Sequence, residues 1–429
     1  MSMPEDKRVS LPYGRGQVTF TIPQNRLRAV LAVPHEEGGE PDQQAIVRRA
    51  LEHPIGSAPV HELARGKKRI LLITSDHTRP VPSRVTLPIY LEELRKGAPD
   101  AEIRILIATG MHRPTTREEM IDKFGEEIVA RETIVNHVSS RMQDMTFKGI
   151  LPSGGELWIN NLVDWAELVV SEGFIEPHFF AGFSGGRKSI LPGIASEKTV
   201  LYNHNSRFLA SPRAVQGSLQ GNPIHEDMLF AAHQAGLKFI LNVLIDEQKR
   251  VIDAYAGDLD QAHAAGCARS LQRTAVDAVE ADIAITSNGG YPLDQNVYQS
   301  VKGMTAAEAT VRQDGVIIMC AALGDGAGGD SFYHWFADRK DSHEVAADIE
   351  KIPPEATIPD QWEAQMLARV QNRARCIFLT GEENRKLVED MHMTWAGTPE
   401  EALALAEQLV GRDASVTVVP DGVGVIVKR

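Results

Sequence analysis

Arg69-Ile70-Leu71-Leu72-Ile73-Thr74 is followed at once by Ser75-Asp76-His77-Thr78-Arg79-Pro80. The first run is apolar at successive positions rather than alternate ones. A strand covered on both faces of a sheet requires that pattern. The second run is polar and ends in a proline, as a loop does. A helical stretch over about 83–97 comes next, and Glu102-Ile103-Arg104-Ile105-Leu106-Ile107-Ala108 then repeats the strand pattern. Strand, polar loop, helix and strand predict a parallel sheet with helices on both faces.

The rhythm extends in both directions. Residues 8–22 alternate around Tyr13-Gly14-Arg15-Gly16 and predict a hairpin. Glu167-Leu168-Val169-Val170-Ser171 and the run 239–245 are further strands, and a helix is predicted at about 258–273. A second series then starts, with strands at 282–287, 315–319 and 376–380 and helices at 302–313, 360–372 and 398–410. The last segment, 415–427, reads as two strands joined by Pro420-Asp421-Gly422, able to close either sheet. The expected fold is α/β, with two α/β domains of mostly parallel strands and the active site in the cleft between them. The boundary is placed near 275: residues 1–275 form the first domain, 276–410 the second, and 411–429 are free to return to the first. No internal repeat or low-complexity tract is present.

Open α/β sheets bind ligands outside the carboxyl ends of their strands. Four polar motifs sit at such ends. They are Ser75–Pro80, Thr109-Gly110-Met111-His112-Arg113-Pro114, Glu172-Gly173-Phe174-Ile175-Glu176-Pro177-His178, and Asn288-Gly289-Gly290-Tyr291-Pro292-Leu293-Asp294-Gln295.

The chain has 429 residues, 43% of them hydrophobic, with a formal net charge of −13. That length allows two or three domains with large cores. The negative charge argues against binding nucleic acid or an anionic membrane surface. An anionic substrate would then need a local cluster of Arg and Lys. Cys267, Cys320 and Cys376 are far apart and lack metal-ligand spacing, and Cys320 lies in an apolar run. Zinc ribbons, iron–sulfur sites and a disulfide framework are therefore not expected. Met1–Arg8 is polar and no apolar run reaches 18 residues, so a cytoplasmic protein without a targeting or spanning segment is expected.

Pro177-His178-Phe179-Phe180-Ala181-Gly182-Phe183-Ser184-Gly185-Gly186-Arg187-Lys188 carries the densest chemistry, with His204 following in Tyr202-Asn203-His204-Asn205. Glycines permit positive φ and close approach of backbone to a ligand. Histidine moves protons or holds a metal. Lysine becomes a nucleophile when its pKa is depressed. A phosphate-binding loop is excluded, because counting from Gly182 its second glycine would fall at Arg187. Taken singly, each residue has an ordinary reading. His112 could be a satisfied loop histidine, His178 a half-buried packing residue, and Arg187 with Lys188 solvated surface charge.

Together these segments resemble the nickel-pincer-nucleotide lactate racemase family, the nickel-dependent 2-hydroxyacid racemases and epimerases. The residues that carry the resemblance are Asp76–Pro80, Thr109–Arg113, Pro177–Lys188 continuing through Leu191-Pro192-Gly193-Ile194, Tyr202–Asn205, and Tyr298-Gln299-Ser300-Val301-Lys302-Gly303. The resemblance implies a cofactor, a pyridinium mononucleotide with two sulfur-bearing substituents that hold nickel. Lys188 would form its thioamide link and His204 would be a nickel ligand. Asp76 and Thr78 would contact the cofactor, or Asp76 would orient a neighbour. His112 and His178 would be the acid/base pair, one for each enantiomer. The substrate's Cα would give a hydride to the cofactor and take it back on the other face. Arg79, Gln299 and Lys302 would hold the substrate. By the same analogy Trp362 would lie near the site; apart from the resemblance, Phe180, two residues past His178, would line or narrow the pocket, and His77 reads as structural rather than catalytic. The partners implied are a small 2-hydroxyacid and separate proteins that make the cofactor.

Two other classes compete. A zinc or iron hydrolase would use His112, His178 and His204 as ligands, although HxH and HExxH spacings are absent. A non-catalytic binder of a nucleotide or hydroxyacid would need no opposed histidines. The substituent on the substrate's Cα is open, from lactate through larger aliphatic or aromatic hydroxyacids and malate to sugar acids.

Overall fold

Long apolar runs paired in parallel build two separate sheets. The computed structural model describes residues 6–33 and 41–428, so Met1–Glu5, part of the polar N-terminus, lies outside the described residues. The chain forms two compact units. One contains residues 41–204 and 211–272, the other residues 6–33, 205–210 and 273–428.

The first unit holds a six-stranded sheet. In spatial order its strands are Val251–Gly257, Leu237–Ile245, Leu168–Phe174, Arg69–Ser75, Glu102–Ala108 and Thr133–Asn136. Only the edge strand Val251–Gly257 is antiparallel to its neighbour. Ile70, Leu71, Leu72 and Ile73 are all fully buried, which explains the unbroken apolar run. Ile70 and Leu72 pack with Tyr90 and Leu94 of helix Ser83–Gly97, and with Ile103, Ile105, Val170 and Phe239 of neighbouring strands. After Arg69–Ser75 the chain adds strands on one side, then returns to add Leu168–Phe174 on the other. The topological switch point therefore lies between Arg69–Ser75 and Leu168–Phe174, and their carboxyl ends lead into Asp76 and Glu176–His178.

The second unit has its own six-stranded, all-parallel sheet. Its strands run Thr394–Ala396, Arg375–Leu379, Val311–Cys320, Ala281–Ser287, Val416–Val419 and Leu27–Val30. Two features correct the expected domains. The antiparallel hairpin Asp6–Tyr13 and Gly16–Pro23 does form, but its Val9, Leu11, Phe20 and Ile22 join the core of Ile283, Val316, Ile377 and Val418. The N-terminal residues thus belong with the C-terminal unit. Nor does the chain's end return to the first domain. Val416–Val419 lies between Ala281–Ser287 and Leu27–Val30, and Ile426–Lys428 pairs in parallel with Ala275–Asp277. The two terminal strands are not a hairpin, because each finds a different partner.

All three cysteines are buried. Among the described residues no helix is long and apolar enough to cross a membrane.

Candidate active site

Asp76 sits one residue past the carboxyl end of its strand and is 1% exposed. Its Oδ2 accepts a 2.6 Å hydrogen bond from His112 Nδ1. Its Oδ1 accepts from the Thr78 amide at 3.1 Å and the Thr78 hydroxyl at 2.7 Å. Burial alone would raise the carboxyl's pKa. The hydrogen bonds from His112 and Thr78, with the charges of His112 and Arg79, outweigh it and hold Asp76 below its usual value. With Nδ1 committed to the carboxylate, His112 offers Nε2 for proton transfer, and its side chain is 45% exposed. Arg79 is exposed and donates to the Thr78 hydroxyl at 3.2 Å. One short loop thus joins Asp76, Thr78 and Arg79 to His112 from the next strand's loop. Arg113, beside His112, is engaged by both carboxylate oxygens of Glu119. His77 faces Thr115 at 3.2 Å and Glu119 at 3.8 Å.

Two further charged groups lie close by, Glu172 at the head of one of the four polar motifs and Lys123, which no sequence pattern marks. Glu172 is fully buried in strand Leu168–Phe174 and accepts from Thr74 at 2.6 Å, Ser83 at 3.1 Å and Thr86. Burial raises its pKa against those three donors and the charge of Lys123. Lys123 donates to the Arg79 carbonyl at 2.8 Å, and burial lowers its pKa against the charges of Glu172 and Asp76.

His178 lies in a two-residue strand paired with Gly182–Phe183. Its Nδ1 accepts from the Ala181 amide at 3.3 Å, which puts the ring proton on Nε2. Phe180 is buried and does not line an open surface. Its ring meets His178 edge-on at 4.6 Å and His204 at 5.3 Å, so it stands between the two histidines.

The glycine-rich loop departs from its expected reading. Gly182, Gly185 and Gly186 do take positive φ, of 80°, 76° and 50°. The close approach is to protein, not to open space. A Cβ on Gly182 would lie 2.2 Å from the Ser218 carbonyl oxygen, and one on Gly186 2.8 Å from the His263 ring. Arg187 is not surface charge; it is completely buried and organises the loop. It donates to the carbonyls of Ala181 at 2.8 Å, Phe183 at 2.8 Å, Ser184 at 3.3 Å and Gly185 at 3.2 Å. Its Nε donates to His225 Nδ1 at 3.0 Å. Burial lowers Arg187 to about 10, which still leaves it charged at neutral pH. Burial first, then the Arg187 charge, pushes His225 and His263 down to about 3. Asn242, buried in the strand beside Leu168–Phe174, accepts from the Gly186 amide at 2.8 Å. Lys188 follows in the short 3-10 turn Gly186–Ser189 and is only partly buried.

His204 caps helix Glu197–Asn203. Its Nδ1 donates to the Val200 carbonyl at 3.0 Å, so the lone pair resides on Nε2. Burial, then the nearby charge of Lys188, lowers it to about 3 and keeps the ring neutral. Gly110 on the His112 loop donates its amide to the Gly193 carbonyl at 2.9 Å, which ties that loop to the segment after Lys188.

In the second unit, Gln299 and Lys302 lie one turn apart on helix Val297–Thr310, and Lys302 Nζ donates to Gln299 Oε1 at 2.7 Å. Trp362 Nε1 donates to the Tyr298 hydroxyl at 3.1 Å. The Asn288–Gln295 motif has a structural task here. Asp294 accepts from the amides of Gly14 at 2.6 Å and Ala322 at 3.1 Å, and so fastens the N-terminal hairpin. The three-histidine hydrolase is not supported. Among the described residues no group of three or more His, Cys, Asp or Glu could hold a metal.

The chain matches the model of the lactate racemase N-terminal domain over residues 13–217 and that of the lactate racemase C-terminal domain over residues 276–427. It is 51% identical over 425 residues to a lactate racemase of Thermoanaerobacterium thermosaccharolyticum, spanning 98% of this chain and 99% of that one. With a lactate racemase of Lactiplantibacillus plantarum the identity is 50% over 424 residues, with the same shares. The solved lactate racemase apoprotein of T. thermosaccharolyticum matches with a TM-score of 0.96, covering 99% of this chain and 100% of that chain. A Thermotoga maritima protein at 19% identity and a TM-score of 0.64 shares the fold over 91% of this chain and 99% of its own. With both family domains in order, and relatives about half identical from end to end, the chain belongs to the lactate racemase family and is an isomerase.

Proposed function

We propose that the protein interconverts the enantiomers of a 2-hydroxy carboxylic acid, lactate first among them, using a nickel-pincer nucleotide attached at Lys188. What carries the reading is the likeness to lactate racemases over 98% of the chain. The Asp76–His112 pair supports it chemically, since a buried carboxylate that fixes a histidine's tautomer prepares that ring for proton transfer.

The residues present fit the cofactor. His204 is a neutral imidazole with its proton on Nδ1, which is the form a metal accepts as ligand. Lys188 is near enough for its charge to act on that ring, and it stays reachable while Arg187 and Asn242 hold its loop. His204 would ligate the nickel, Lys188 would carry the covalent link, and Asp76 and Thr78 would contact the nucleotide. Bound there, the cofactor would take the hydrogen from the substrate's Cα with its electron pair and return it to either face.

The chain's own residues do the rest. Arg79, Gln299 and Lys302 bind the substrate's carboxylate and hydroxyl, the guanidinium through a planar fork and the ammonium as a point charge. His112 Nε2 takes the hydroxyl proton of one enantiomer and returns it when that same enantiomer is re-formed. His178, whose Nδ1 is occupied by the Ala181 amide, works through Nε2 on the opposite hand. Phe180 holds the spacing between His178 and His204. The cofactor comes from separate biosynthetic proteins, and the reaction is cytoplasmic.

The test is to produce the chain together with the cofactor-making proteins and supply single enantiomers of lactate. Loss of optical rotation, with a nucleotide-sized mass adduct on Lys188, is the expected result. A loaded chain that leaves lactate and other 2-hydroxyacids optically unchanged would overturn the reading.

A further inference from the structure

Helix Gln361–Arg373 packs against helix Val297–Thr310, which bears Lys302, and carries a buried carboxyl, Glu363. Glu363, in its first turn, is 1% exposed, and its Oε1 has no hydrogen-bond partner. A carboxylate in that position is costly unless a cation offsets it or a proton neutralises it. The groups acting on it are few. Lys302, from the facing helix, favours the ionised form, while Asp360, from the turn before its own helix, opposes it. The Tyr298 hydroxyl, facing from the same helix as Lys302, accepts from Trp362 Nε1 and is itself paired with Asp360. Further along, Glu308 is taken by Arg369 at 2.6 and 3.0 Å. Of the other helices packed against this one, Asp330–Ala337 buries Phe332 and Phe336, Ser342–Glu350 buries Val345 and Ile349, and Ser206–Leu209 accepts from Gln365 at the Ser206 carbonyl at 2.8 Å.

Lys302 is thus the charge on which Glu363 depends, and it is also the proposed contact for the substrate's carboxylate. One ammonium cannot fully compensate two carboxylates in a buried setting. We propose that Glu363 and Lys302 form a proton-coupled switch on substrate binding, in which Glu363 takes up a proton from solvent when a 2-hydroxyacid carboxylate engages Lys302. This rests on the reading of Lys302 as a substrate contact.

The sign follows from the electrostatics. Burial raises Glu363 to about 8 in the free chain, against the pull of Lys302. A second carboxylate at Lys302 adds like charge and weakens that pull, so Glu363 rises further on binding. Below about pH 7 Glu363 is already protonated and binding takes up nothing. Above about pH 8 it is ionised in the free chain, and each binding event draws in up to one proton. Affinity then falls by up to about tenfold per pH unit.

The experiment is calorimetry of cofactor-loaded protein with racemic lactate, so that turnover adds no net heat. Titrations at pH 7 and pH 9, in buffers of different ionisation enthalpy, count the protons. The wild type is expected to take up a proton at pH 9 and almost none at pH 7. Glu363→Gln should show no uptake and bind about as tightly at pH 9 as at pH 7. The absence of uptake by the wild type at pH 9 overturns the proposal without any variant, and so does uptake that persists in a folded Glu363→Gln protein. Lys302→Met separates the two readings. Unchanged lactate affinity there would remove Lys302 from the substrate site, whereas lost affinity without wild-type uptake would remove only the switch.

Discussion

His112 Nδ1 donates to Asp76 Oδ2 across 2.6 Å, although the two residues come from the ends of different strands and differ sharply in exposure. The buried member fixes the orientation, and the exposed member is the one proposed to meet the substrate. Asp76→Asn keeps the shape but removes the charge that selects one tautomer. Racemisation by the loaded enzyme should fall on the order of 10²–10⁴ in kcat, with a smaller change in KM, since Asp76 is held away from solvent. Steady-state polarimetry separates the two parameters. A variant with wild-type kcat would show that the carboxylate does not serve His112.

His112→Ala and His178→Ala should each abolish conversion in both directions, because every turnover needs a base for one enantiomer and an acid for the other. Wild-type enzyme run in D₂O should return product with little deuterium at Cα. Full incorporation, read by mass spectrometry or NMR, would mean direct deprotonation of Cα and a mechanism without hydrogen return.

Acid stability offers a third prediction. His225 and His263 are depressed to about 3, and His137 to about 4, all chiefly by burial. Unfolded, each would titrate near the ordinary histidine value of 6.5. Between those limits the unfolded chain binds more protons than the folded one, so stability is complete above about pH 6.5 and drains away as pH falls towards 4. Each tenfold weakening of a ring's hold on its proton corresponds to about 1.4 kcal/mol. Tm should drop steeply over that interval, and His263→Gln should flatten part of the slope. A flat Tm from pH 7 to 4 would show that these rings are not buried as neutral groups.

Arg187 predicts a fold effect separable from chemistry. Arg187→Met removes the guanidinium donor of the Phe183 carbonyl and leaves the Ala181 carbonyl only the Phe183 amide. The expected loss is at least ~1–3 kcal/mol, the cost of one buried unsatisfied acceptor. Gly186→Ala should be unfavourable for two reasons, a φ of 50° and a Cβ 2.8 Å from the His263 ring. Denaturant unfolding measures both, and cofactor attachment at Lys188 should drop in parallel. A stable Arg187→Met protein with normal attachment would contradict the organising role given to the guanidinium.

The strands are legible in the sequence wherever burial on both faces writes an unbroken apolar run, as in Ile70–Ile73 and Ile105–Ile107. The polar loops after them are legible because parallel strands of one sheet end on the same side, so motifs far apart in sequence have to converge. Leu27–Val30 is not legible as a partner of Val416–Val419, since a short half-exposed strand carries no mark of a partner almost a chain length away. The burial of Arg187, Glu172 and Glu363 escapes notice for a shared reason. A charged residue is read as solvated by default, and only the fold shows the carbonyls, hydroxyls or ammonium that let it stay inside. The glycines of the Lys188 loop stand out as special but suggest the wrong neighbour, because sequence reveals a positive φ more readily than it reveals what lies against the missing Cβ.

The pairing of Leu27–Val30 with Val416–Val419 sets an order of events during synthesis. A ribosome adds residues at ~5–20 per second, so the first strands made wait tens of seconds for the strand beside which they belong. Residues 41–272 can close their own sheet meanwhile. Through that interval the hairpin bearing Val9, Leu11, Phe20 and Ile22 has no core to enter. The newborn chain trails an adhesive ribbon at its leading end until translation finishes. Trimming either terminus should therefore injure the same half of the molecule.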